Sequence, residues 1–476
     1  LPRLPTGIPG MDEILDGGFV QGAAYIVQGL PGAGKTIFSN QVAFAAAAEG
    51  RKVLYVTLLS ESHERLFSAL STLDFFDRSR LGDGIAYVSV FQTLRDEGLS
   101  AVVALLRRET QRQGATLLVF DGLINARDRG DSELDIKTFL AEVQGQAAFL
   151  GCTVLFLTSA RVTEASPEHT MVDGVIELHE EIVGSRAIRR LHVRKSRGSA
   201  ALAGYHQYQI TSEGMAVYPR LEAALAHPSG QAEPTNKRVQ SHVEGLDGII
   251  GGGLPESSVT LLFGPSGSGK TSFGLSFLAG CNTQEPGLYF GFYETPARLL
   301  MKSAALNLGL DEKLADGSLD IVWRPLTENL LDKLGHELLS AVKTRGAKRL
   351  FIDGLGGFER AAGDKPRLVE FMAALTNELR SIGVTTIASW EMRELFSTSV
   401  SAPNAEISSL LDNLMLLRQV EIESRFRRTL SVLKIRDGLF DAAIHEVQIG
   451  NRGLKIALPI EPVTGAATGL AKPLQP

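Results

Sequence analysis

A chain of 476 residues exceeds one ordinary core and suits two or three domains. Hydrophobic content of 44%, charged content of 21% and a net charge of −6 describe a globular chain with no general electrostatic reason to hold a polyanion, so nucleic acid is not an expected partner. Cys152 and Cys281 alone exclude a disulfide framework and a cysteine-based zinc site, no run approaches the roughly 18–20 apolar residues of a spanning helix, and a reducing, cytoplasmic setting is expected.

In chain order, Ala24, Tyr25, Ile26 and Val27 predict a strand. Behind it, Gly29-Leu30-Pro31-Gly32-Ala33-Gly34-Lys35-Thr36 fits the pattern G-x-x-x-x-G-K-[ST] ahead of a helix-compatible stretch. The residue types suit a phosphate. Glycines let backbone N–H groups close around its oxygens, a helix N-terminus adds partial positive charge, Lys35 reaches the outer phosphates and Thr36 ligates magnesium. Further strands are predicted over Val53 to Thr57, Leu117 to Phe120 and Thr153 to Thr158. Asp121 ends the middle one, where a carboxylate accepts from magnesium-bound water or from the loop threonine. Transfer to water also needs a group that orients or deprotonates the nucleophile, and Glu61, beyond the second strand, is the candidate. Ala187 to Val193 alternates and predicts an antiparallel addition, followed by Lys195-Ser196-Arg197. Pro219 to Ser241 reads as a linker with a short helix near Leu221 to Leu225.

The second half repeats the first. Gly10-Met11-Asp12-Glu13-Ile14-Leu15-Asp16-Gly17-Gly18 matches Gly245-Leu246-Asp247-Gly248-Ile249-Ile250-Gly251-Gly252-Gly253 at an offset of 235, and the same offset carries Lys35 to Lys270 in Gly264-Pro265-Ser266-Gly267-Ser268-Gly269-Lys270-Thr271. Leu288 to Phe292 with Glu294 beyond it, Arg349 to Ile352 ending in Asp353, Val384 to Ala388, and Thr429 to Leu433 before Lys434-Ile435-Arg436 complete the copy. Apolar strands separated by helix-length segments imply, in each copy, an α/β fold with a mostly parallel sheet covered on both faces. The domains are expected at 1–234 and 235–455, with a loose, proline-bearing tail over 456–476. Trp323, Trp390 and the histidines form no triad or metal spacing and read as core or surface residues.

Thr6-Gly7-Ile8-Pro9-Gly10-Met11-Asp12-Glu13, the two phosphate loops and the two Lys-x-Arg triplets together resemble the KaiC family of clock ATPases and autokinases, from Thr6 to about Gly450. The resemblance implies two tandem RecA-like P-loop NTPase domains, a double-ring homo-hexamer, ATP and Mg2+ between neighbouring protomers, and a KaiB-like or other signalling partner. It implies that Lys195, Arg197, Lys434 and Arg436 reach the nucleotide of the adjacent subunit, as an arginine finger does. Ser408 and Ser409, in Ile407-Ser408-Ser409-Leu410-Leu411-Asp412, fall on the family's phosphorylated pair, which the first-copy stretch Glu168-His169-Thr170-Met171-Val172-Asp173 lacks.

Departures shape the expectation as much. The family's paired glutamates are Ser60-Glu61 in one copy and Tyr293-Glu294 in the other, and an ungapped reading places Leu59 and Ser60 where the first pair belongs. Slow hydrolysis and weak autokinase activity follow. The leading expectation is an ATP-driven hexameric switch. Alternatives are a DNA-acting motor, against which the acidic balance stands, and a nucleotide-stabilised scaffold with little catalysis.

Overall fold

A computed structural model of the chain describes residues 1–58, 63–122, 133–159, 168–183, 185–230, 235–327, 329–363, 365–392, 405–422, 425–451, 453–459, 463–464 and 472–473. Two compact units divide it, Leu1–Ala224 and Leu225–Pro476. The division precedes the boundary read near residue 235, and a local anchor accounts for part of the difference. Ser229 donates its N–H (2.9 Å) and its hydroxyl (2.6 Å) to the Glu378 carboxylate, which is fully buried and pairs with Lys343 at 2.7 Å.

The first unit is built on one nine-stranded sheet. Its strands are β1 (Ala24–Gly29), β2 (Val53–Thr57), β3 (Ile85–Ser89), β4 (Leu117–Asp121), β5 (Thr153–Thr158), β6 (Gly174–Val183), β7 (Arg186–Ser196), β8 (Tyr205–Thr211) and β9 (Gly214–Tyr218). Their order is β9-β8-β7-β6-β1-β5-β4-β2-β3. From β6 to β3 every pair is parallel, and β7 to β9 are antiparallel additions. Alternation along the strands divides their side chains between two cores. Tyr25, Val27, Tyr55 and Leu155 pack with α1 (Lys35–Ala48). Ile26, Leu54, Phe120 and Phe156 pack with α2 (Phe91–Gln113, broken at Gly98) and α3 (Glu133–Leu150). Burial on both faces is why these strands read as continuous apolar runs.

The second unit repeats the plan with β10 (Val259–Gly264), β11 (Gly287–Gly291), β12 (Leu319–Trp323), β13 (Arg349–Asp353), β14 (Thr385–Glu391), β15 (Asn413–Ile422), β16 (Arg425–Ile435), β17 (Ile444–Gly450) and β18 (Gly453–Pro459). The order β18-β17-β16-β15-β10-β14-β13-β11-β12 is that of the first sheet, each label nine higher. Leu262, Tyr289, Phe351 and Met415 pack with the helix α5 (Lys270–Ala279). Three strands outrun the apolar runs that predict them: β14 reaches Glu391, β7 reaches Ser196, and β16 spans Arg425–Ile435. Ladder pairing, rather than apolar content, sets their ends.

One expectation needs correcting. The tail assigned from residue 456, and the loosening expected beyond Gly450, meet an ordered edge strand: β18 pairs with β17 as far as Pro459 and buries Leu454 and Ile456. Alternating apolar residues outweigh the nearby glycine and proline.

Candidate functional site

Each central strand, β1 or β10, delivers the chain into a phosphate-loop motif. Gly34 and Gly269 cap the following helix in left-handed backbone, φ 92° and 106°, which a Cβ disfavours. Gly29 and Gly264 are constrained by space instead. A Cβ there would stand 2.5 Å from the Leu178 carbonyl oxygen and 2.1 Å from that of Leu417. Lys35 donates to the carbonyls of Gly29 (2.8 Å) and Leu30 (3.1 Å), and Lys270 to those of Gly264 (2.8 Å) and Pro265 (2.7 Å). Burial lowers the pKa of both ammonium groups, so a phosphate oxygen is a better partner for either than a carbonyl. The loops are braced from their own sheets: Tyr208 on β8 donates to the Ala33 carbonyl (2.7 Å), and Gln419 on β15 donates to that of Gly267 (3.0 Å).

Asp353 ends β13 beside the second loop and is buried. Its carboxylate accepts from the hydroxyls of Thr271 (3.0 Å), Tyr289 (2.9 Å) and Ser389 (2.8 Å). Burial raises its pKa, and these three bonds oppose the rise. Asp121 has the same balance, burial against Lys35 and hydrogen bonds from Tyr55 and Thr36. Tyr55 and Tyr289 stand on equivalent rungs, paired with Val119 and Phe351. Sequence reasoning missed them; a tyrosine two residues before the end of the second strand in both copies was the available signal. A threonine hydroxyl with an aspartate suits Mg2+, which takes few protein oxygens and completes its shell with phosphate and water. Among the described residues no three His, Cys, Asp or Glu gather to bind a metal unaided.

A cavity of about 590 Å3 lies over the second loop, a size suited to a small-molecule ligand. Lys270, Thr271, Tyr293, Glu294, Asp353 and Glu391 are among its lining. Glu294 is ion-paired with Lys302, and Tyr293 is half exposed. Glu61 lies outside the described residues. Strand register nevertheless bears on the alignment: Thr57 pairs with Asp121 as Gly291 pairs with Asp353. Counted on from these equivalent rungs, Ser60 holds the place of Glu294 and Leu59 that of Tyr293.

Neither Lys-x-Arg triplet stands at its own loop. Lys195 pairs with Val175, beside Ile26, and Lys434 with Leu414, beside Leu261. Each is three rungs, about 10 Å, short of Gly29 or Gly264, and Arg197 and Arg436 lie farther along. Lys195 donates to the carbonyls of His169 (2.8 Å) and Val172 (2.6 Å), and Lys434 to that of Leu411 (2.6 Å). These carbonyls belong to the short helices α4 (Glu168–Met171) and α6 (Ala405–Leu410) or follow them. Arg197 is largely exposed 4.0 Å from Asp173, and Arg436 is half exposed 2.8 Å from Asp412. Ser408 and Ser409 sit on α6, just ahead of β15, whose Asn413 pairs with Thr260. They too are at the sheet end away from their own loop. Ser408 is buried, while Ser409 is exposed and donates to the Glu406 carbonyl (2.6 Å).

The family model for the KaiC ATPase matches residues 4–222 and, a second time, 239–460. The chain belongs to the KaiC ATPase family. Among its KaiC relatives, the circadian clock oscillator proteins KaiC of Thermosynechococcus vestitus and Synechococcus elongatus are each 26% identical to it, over 469 and 474 residues, covering 95% of this chain and 89% and 88% of theirs. The circadian clock protein KaiC3 of a Synechocystis species is 25% identical over 486 residues, 98% of this chain and 94% of its own. Both halves are thus KaiC-type, RecA-like nucleotide-binding ATPase domains, as the repeated motifs led us to expect. No helix among the described residues is long and apolar enough to cross a membrane. In this KaiC-family frame, Glu391 is a cavity residue that sequence reading overlooked. Its signal was a carboxylate closing the apolar run of β14, the same kind of signal that marks Asp353.

Proposed function

We propose that this KaiC-family chain works as a double-ring homo-hexamer that binds ATP and Mg2+ at subunit boundaries, hydrolyses ATP slowly, and passes the resulting change of ring geometry to a signalling partner, a KaiB-like protein by family analogy. One observation carries the interfacial reading. Lys195, Arg197, Lys434 and Arg436 stand at the sheet end remote from their own loops, so a neighbouring protomer's nucleotide is the one they can serve. A cation supplied in trans stabilises charge on the transferring phosphoryl group. Within a protomer, loop N–H groups and Lys35 or Lys270 hold the phosphates. Thr36 with Asp121, and Thr271 with Asp353, would hold Mg2+, which neutralises phosphate charge when bound. The test is molecular mass in solution with and without ATP and Mg2+, read alongside phosphate release. Mass near six chains with slow release supports the proposal; a monomer that binds ATP ends it.

Weak serine autokinase activity at Ser408 or Ser409 belongs to the same proposal, the phosphoryl group coming from a neighbour's second-copy site. Intact-mass analysis after incubation with ATP and Mg2+, finding no added phosphate, removes that part. A second reading has one observation in its favour. Ser60, three residues on from Thr57 as Glu294 is three on from Gly291, favours a first ring that holds nucleotide as a scaffold with little turnover. Phosphate release from a Lys270→Ala chain decides between a slow first ring and a silent one.

A further inference from the structure

We propose that Glu391 is the catalytic base of the second copy, a carboxylate supplied by β14 in place of one from the segment after β11. The proposal rests on the second copy being an active ATPase. Three observations place the residue. First, β14 lies between β13 and β10, and Glu391 pairs in register with Gly264, the first residue of the phosphate loop. The carboxylate is therefore carried to the middle of the site, between the strand bearing Asp353 and the loop itself. Second, Glu391 lines the same cavity as Lys270, Thr271 and Asp353, is exposed to it, and its carboxylate forms no hydrogen bond or ion pair with any other described residue. Glu294, the carboxylate sequence reasoning favours, is neutralised by Lys302, and Tyr293 is a phenol whose pKa burial raises further. Of the three, Glu391 alone presents to the cavity a carboxylate with no described partner. Third, the two copies differ at this rung. Thr158 pairs with Gln28 as Trp390 pairs with Phe263, and the next residues are Ser159 in the first copy and Glu391 in the second.

The step balances without a further reactant. The water oxygen bonds to the γ-phosphorus, the bond from that phosphorus to the β–γ bridging oxygen breaks with its electron pair leaving on ADP, and the water proton passes to Glu391. The carboxylic acid returns its proton to solvent as inorganic phosphate departs. Lys270 accounts for a carboxylate being tolerated beside phosphates, since the two side chains attract one another across the loop.

The experiment uses the full chain carrying Lys35→Ala, so that phosphate release reports the second loop. Adding Glu391→Gln is expected to lower the turnover rate by about 100-fold or more while a fluorescent ATP analogue still binds, and to abolish the acidic limb of the pH–rate profile. Glu391→Asp should recover part of the rate. Retained turnover in Glu391→Gln, a rate loss with the acidic limb intact, or a larger loss in Glu294→Gln than in Glu391→Gln overturns the assignment while leaving the ATPase reading in place. If the Lys35→Ala parent binds the analogue but releases no phosphate, the ATPase reading of the second copy fails, and this assignment falls with it.

Discussion

At the scale of single residues the two copies use one backbone for different chemistry. Gln28 pairs in register with Glu177 where Phe263 pairs with Leu416. The first copy thus holds a polar cluster in an apolar place. Glu177 is engaged by Gln28 (2.7 Å), Arg194 (3.2 Å), His179 (3.3 Å) and His192 (3.3 Å). The His192 hydrogen bond, with those from His179 and Arg194, outweighs burial and holds the carboxyl at about 2. Because its folded pKa lies below the ordinary 4.5, the carboxylate contributes stability in full above that value and loses it as pH falls toward about 2. Glu177→Gln should therefore cost about 1–3 kcal/mol near pH 7, by removing the charged acceptor that these part-buried donors share. Denaturant midpoints across pH should show the gap between the two chains narrowing below pH 4.5, and a pH-independent gap would refute the account. No sequence signal marked this cluster, since its members come from three strands.

Among the elements, the loop glycines and the edge strand carry the sharpest expectations. Gly264→Ala puts a methyl 2.1 Å from the Leu417 carbonyl, which must move, and overpacking of this kind costs about 1–3 kcal/mol. Nucleotide titration should show the second copy losing its affinity and the first keeping its own. β18 offers a stability test. Leu454 and Ile456 are buried, and each is worth roughly 1.5–3 kcal/mol. A chain ending at Gly450 should melt well below one ending at Pro459, and should self-associate through the bared edge of β17; equal melting would return β18 to the status of a loose tail. The central strands were legible because both faces are buried and their apolar runs are unbroken. The ends of β14 and β16 were not, since polar residues there are held by ladder pairing, Glu391 opposite the sequence-distant Gly264 and Arg425 opposite its near neighbour Ile422.

For the whole molecule, the interfacial site predicts complementation. Lys270→Ala disables a protomer's own loop, and Arg436→Ala disables what it lends to a neighbour. Measured in a Lys35→Ala background, each variant should lose most second-copy turnover alone, and their mixture should regain part of it, because an intact loop then meets an intact arginine across some boundaries. A mixture no more active than its components would place the triplets outside the reaction. By itself the sequence determined what depends on residues close along the chain: the duplication, both phosphate loops, and the acidic residues that close their strands. Only the tertiary structure decided which rung faces which. It set the Lys-x-Arg triplets at the far end of their sheets, put Thr57 on the rung equivalent to that of Gly291, and brought Glu391 beside Gly264. The reason is physical: neighbours across a parallel ladder are joined by long crossovers, and pairing register is fixed by packing on both faces rather than by any local pattern.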